Sequence, residues 1–66
     1  MKYWTGLIKH YFNDKKISRY NVAELSVDSG IRLVDIYAIL IREKMGNREI
    51  LQNILNDLKK FYDIKD

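Results

Sequence analysis

An all-α domain of four helices is the fold class that three features of the chain predict. Apolar residues recur at helical spacing from end to end, strand-like alternation is nowhere sustained, and the 66 residues include no proline. Three polar or glycine-containing breaks divide the pattern, so helices are expected at about residues 3–13, 21–29, 32–44 and 47–63. Residues 1–66 read as a single domain, without linker, repeat or low-complexity tract.

The first helix rests on Trp4, Leu7, Ile8, Tyr11 and Phe12, which form one apolar stripe, and Asn13-Asp14-Lys15-Lys16 reads as its polar end. For the second helix the signal is a start. Asn21 followed three residues later by Glu24 has the spacing of a capping box, with Tyr20 and Leu25 placed as a hydrophobic staple. It is expected to close at Ser29-Gly30, where glycine accepts the left-handed conformation. The third helix is stopped by Met45-Gly46-Asn47, with Gly46 as its exit and Asn47 as the cap of the fourth. In the fourth, Leu51, Ile54, Leu55, Leu58, Phe61 and Tyr62 make an apolar seam. Glu49 in its first turn and Lys59 and Lys60 near its end suit the helix dipole.

Composition narrows the function classes. The apolar fraction is 47% and charged residues of both signs make up 32%, which suits a folded domain rather than a disordered chain. A core this small is marginal, so self-association or a partner protein is already expected on size. There is no cysteine, hence no disulfide and no thiolate metal site. Met1-Lys2-Tyr3-Trp4 does not open like a signal peptide, and the longest apolar run, Ile36–Ile41, is too short for a bilayer; a cytoplasmic protein is expected. The net charge of +3 suits a nucleic-acid partner, but its distribution does not favour the centre of the chain. Residues 20–41 hold Arg32 against Glu24, Asp28 and Asp35, a net of −2, whereas the flanks hold eleven basic and six acidic residues, a net of +5.

Leu25, Gly30, Ile31, Ile36 and Ile39 or Leu40 have the spacing of a helix-turn-helix. Two helices crossing through a tight turn need glycine at the corner and small or aliphatic groups where their axes meet. Ser26 stands where such motifs commonly have alanine. In this context KISRYNVAELSVDSGI, residues 16–31, resembles the small Cro/repressor (XRE-like) regulators of temperate phages and mobile elements, antirepressors among them, and the resemblance covers roughly residues 17–42. The resemblance implies a transcription regulator with groove-facing positions at Arg32, Leu33, Val34, Tyr37 and Ala38.

Those positions carry the wrong side chains for reading bases, which is done by Arg, Lys, Asn and Gln. Around the third helix, Ile36, Ile39 and Leu40 point toward the core, while Val34, Ala38 and Ile41, flanked by Tyr37, make a second apolar stripe. Three coverings are open for it: the fourth helix, a protein partner, or DNA. The expected function is regulation by protein contact. Leu33, Val34, Tyr37, Ala38 and Ile41 would bind a partner repressor, with Arg32 and Asp35 setting register at the rim. The alternative is a direct, sequence-specific DNA-binding repressor or activator, a homodimer joined through the fourth helix. Arg19, Arg32, Tyr37 and Lys44 would then contact mainly phosphates of double-stranded DNA.

No catalytic set is expected. His10 is the lone histidine and reads as a surface residue with no triad or metal partner, and Gly6, Gly30 and Gly46 are too dispersed for a phosphate loop. Lys9, His10, Lys15, Lys16 and Arg19 form a basic cluster, read as a solvated face or as phosphate contacts. Trp4 and the five tyrosines read as core or interface residues. Neither metal, cofactor nor membrane partner is expected, and an enzyme is not.

Overall fold

The computed structural model describes residues 2–62, and within them the chain is all-helical: α1 (Lys2–Tyr11), α2 (Arg19–Ser29), α3 (Leu33–Arg42) and α4 (Arg48–Tyr62). The four expected helices are all present. Position 63, expected to end the fourth, lies outside the described residues. Helices α2, α3 and α4 pack on one another pairwise. Ile8 and Phe12 bring α1 onto the same core as Val22, Leu25, Ile31, Ile36, Ile39, Leu40, Ile54 and Leu58. No helix is long and apolar enough to cross a membrane among the described residues.

Local hydrogen bonding corrects three boundaries. The second helix begins two residues before Asn21, because Ser18 is its N-cap: the Ser18 hydroxyl accepts from the Asn21 backbone N–H at 3.2 Å. The capping box of Asn21 and Glu24 does not form. The Asn21 amide instead donates to the Lys16 carbonyl at 2.6 Å, and Glu24 accepts from the Tyr11 hydroxyl at 2.6 Å. The staple fails too, since Leu25 is buried but Tyr20 lies exposed.

α3 is shorter than expected, and Gly46 is not its exit. The αL residue is Lys44, with φ of 56°. Its N–H donates to the Ile41 carbonyl, and the Met45 N–H donates to the Leu40 carbonyl at 2.8 Å, the paired bonds of a Schellman closure. Gly46, φ 82°, makes a second left-handed bend directly afterwards. Asn47 does cap α4, its Oδ1 accepting from the Ile50 N–H at 2.9 Å. α1 ends two residues early, at Tyr11, where the Asn13 N–H drops to a tighter bond with the His10 carbonyl.

The α2–α3 corner follows the spacing. Gly30 takes φ of 74° and its N–H donates to the Ser26 carbonyl. Two serines complete the turn: the Ser26 hydroxyl donates to the Ile31 carbonyl at 2.6 Å, and Ser29 donates to the Leu25 carbonyl while accepting the Ile31 N–H. Ile31 can therefore be buried at the corner without leaving its backbone polar groups unpaired.

At the opposite end, the α3–α4 turn packs on the α1–α2 loop. A Cβ built on Gly46 would stand 3.7 Å from Ile17 Cγ2. α1 is tied to the end of α3 by Lys9 and Glu43 (2.8 Å) and by Arg42, which donates to the Thr5 hydroxyl at 2.6 Å. Hydrogen bonding to Lys9 and its positive charge hold the Glu43 carboxyl below the usual range.

Candidate interaction face of the third helix

Leucine, valine and isoleucine dominate α3, and a ten-residue helix that apolar cannot hide every side from water. Ile36, Ile39 and Leu40 are fully buried, as their spacing predicts. The second stripe is divided. Leu33, Val34 and Tyr37 are half-buried and pack against the core, whereas Ala38 is exposed and Ile41 is 47% exposed. α4 thus covers neither Ala38 nor Ile41. Val34 is not a free contact residue, because part of its surface already belongs to the core.

The charged pair at the head of α3 is closed on itself. Arg32 Nε lies 2.8 Å from Asp35 Oδ2, and Arg32 Nη2 lies 3.3 Å from Oδ1, so the guanidinium grips both carboxylate oxygens. Asp35 is mostly covered and Arg32 mostly exposed. The hydrogen bond to Asp35 and its charge raise the Arg32 pKa further, and the Tyr62 phenol acts in the same direction. Tyr62 stands on the last turn of α4. It is half-exposed, and Phe61 beside it is exposed. The seam of α4 is accordingly buried at Ile54 and Leu58, but not at its two aromatic ends.

The residues expected for phosphate contact do not form one group. Arg19 stands on the first turn of α2, its guanidinium 5.2 Å from the Tyr20 ring centre, and Lys44 stands just past α3; both are exposed. The Ile17–Gly46 contact brings these two to the same end. Arg32 lies at the far end of α3, about 15 Å of helix away, and Tyr37 is half-buried between them. His10 is exposed, as expected.

Sequence reasoning missed a second exposed apolar stripe. Tyr20, Ala23 and Val27 recur on α2 and are all exposed, Val27 at 82%. The signal was present, since Val22 and Leu25 already fill the inward face. Of the five tyrosines, expected in the core or at an interface, Tyr3, Tyr20 and Tyr62 stand outside the core, and Tyr11 and Tyr37 are half-buried. Comparison of the chain with protein-family models, curated proteins and solved structures gives no match.

Proposed function

We propose that this protein is a small helix-turn-helix transcription regulator of a phage or mobile element, cytoplasmic, that acts by contact with a partner repressor. The observation that carries the reading is the outward face of α3. Ala38 and Ile41 are exposed beside half-buried Leu33, Val34 and Tyr37, on the helix that would otherwise enter the groove. An apolar centre with a polar rim suits a protein interface, and the rim here is the Arg32–Asp35 pair. Base reading has little support on this helix, because its one arginine near the head already holds Asp35 with both ends of its fork.

The test uses the purified protein, the repressor of the same element and that repressor's operator in a mobility-shift assay. The wild-type protein is expected to change the repressor–operator shift, and Ile41→Asp or Ala38→Asp is expected to abolish that change while far-UV circular dichroism stays native. A sequence-specific shift by this protein alone, lost in the same two variants, overturns the reading in favour of direct operator binding.

A further inference from the structure

Away from α3, two short segments meet where Ile17 packs on Gly46. Each is flanked by cations within two residues of the contact: Lys15, Lys16 and Arg19 on one segment, Lys44 and Arg48 on the other. All five are exposed. Among the described residues, none has a carboxylate within ion-pair distance. Lys15 sits 3.8 Å from the Tyr11 ring centre and Arg19 lies over Tyr20, contacts that leave their charge facing water. The acidic residues within three positions are Asp14, Glu43 and Glu49, and Glu43 is already bound by Lys9 and Arg42.

Hydrogen bonds tie both segments to their neighbours. The Asn21 amide ties the Lys16 carbonyl, Ser18 caps α2 and Asn47 caps α4. Lys44 is held at positive φ by two backbone hydrogen bonds, in a place where glycine would form the turn with less strain. A lysine there adds charge to this end at the expense of backbone ease.

We infer that this end of the molecule is a sequence-independent binding surface for the phosphate backbone of a nucleic-acid duplex. The occupant follows from what the surface lacks. Protein interfaces centre on buried apolar anchors, and a membrane-bound patch sets apolar side chains beside its cations. Here Ile17 is turned against Gly46, and Met45 is half-buried. Apart from the Tyr20 ring beside Arg19 and the exposed carboxylates Asp14, Glu24 and Glu49, what remains exposed is cationic and polar, the composition that phosphate contact needs. The inference stands apart from the α3 reading and would place the protein on DNA beside its partner.

The experiment follows anisotropy of a labelled mixed-sequence duplex of roughly 20 bp, titrated with the full chain over a salt series. Binding is expected to weaken linearly on a log–log scale, with a slope of about −0.9 per phosphate contacted, hence roughly −3 to −4.5 for three to five contacts. Lys16→Gln/Arg19→Gln/Lys44→Gln should weaken binding at least tenfold and flatten the slope by about 0.9 per cation removed. Lys15→Gln/Arg48→Gln should do the same in part, and serves if the triple variant does not fold. Ile41→Asp should keep full duplex affinity. The inference is overturned by absence of salt-dependent binding, by unchanged affinity in both charge variants, or by loss of binding in Ile41→Asp. Poly-glutamate competing equally at matched charge, or equal retention on anionic phosphatidylserine vesicles, overturns it as well.

Discussion

The Ser26 hydroxyl donates to the Ile31 carbonyl at 2.6 Å, closing the corner between α2 and α3 from the inside. Both partners are at least partly buried, so the bond is shielded from competing water. Ser26→Ala would strand the Ile31 carbonyl, at a cost of about 1–3 kcal/mol for a buried acceptor left unpaired. A lowering of Tm by roughly 4–8 °C per kcal/mol is expected for a chain of this size, measured by thermal circular dichroism. Ser26→Thr, which keeps the hydroxyl, should recover most of it. An alanine as good as serine would show that the bond contributes nothing.

Lys44 makes the opposite prediction. At φ of 56° its Cβ crowds the backbone, and Lys44→Gly relieves strain of about 1–2 kcal/mol. Greater freedom of the unfolded glycine offsets about 0.4–1 kcal/mol of that. The variant should therefore be slightly more stable in urea melts while binding duplex more weakly. Lys44→Val should be clearly less stable, since a β-branched residue tolerates this backbone least.

Neighbouring positions on α3 should separate stability from contact. Leu40 is fully buried, and Leu40→Ala is expected to lose about 2–5 kcal/mol, enough to unfold much of a chain with so small a core. Ile41→Asp is expected to change stability by about 0.5 kcal/mol and to act only on partner binding. Val34→Asp would confuse the two, because Val34 packs against the core. Equal losses at Leu40 and Ile41 in denaturant melts would refute the division of the helix.

Tyr11 predicts a late phenol. Its hydrogen bond to Glu24, then burial and the Glu24 charge, push its pKa up to about 12 from 10.0. A raised pKa means the folded state holds the proton more tightly. The contribution is therefore complete below pH 10 and is lost as pH climbs toward 12. Ultraviolet titration should show a phenol ionising at about pH 12, and Glu24→Gln should return it toward 10.0. The stability gap between wild type and Tyr11→Phe should hold steady below pH 10 and shrink above it.

Glu43 predicts the reverse sign. Lys9 holds its carboxyl below the usual range, so the contribution is present at neutral pH and disappears as acid protonates the folded carboxylate. Lys9→Gln should lower Tm at pH 7 and leave it unchanged in strong acid, with added salt narrowing the gap.

Periodicity alone located the four helices, because an apolar stripe at helical spacing must be buried whatever it is buried against. Gly30 and Asn47 were equally legible, since αL geometry and an Asx cap are local demands that one residue meets. Local rules failed where two candidates competed. Ser18 took the cap that Asn21 was expected to supply, because Asn21 could reach the Lys16 carbonyl, and the Schellman bonds placed Lys44 in the conformation expected of Gly46. The surfaces were less legible still. That Val34 is half-buried while Ile41 is not depends on how α3 sits against the rest of the core. The cations flanking Ile17 and Gly46 lie 25 or more positions apart along the chain and become neighbours only through that one contact. Helix formation is a property of near neighbours in sequence, and pattern suffices for it. Which faces stay open to water is a property of packing, and only the assembled fold decided it.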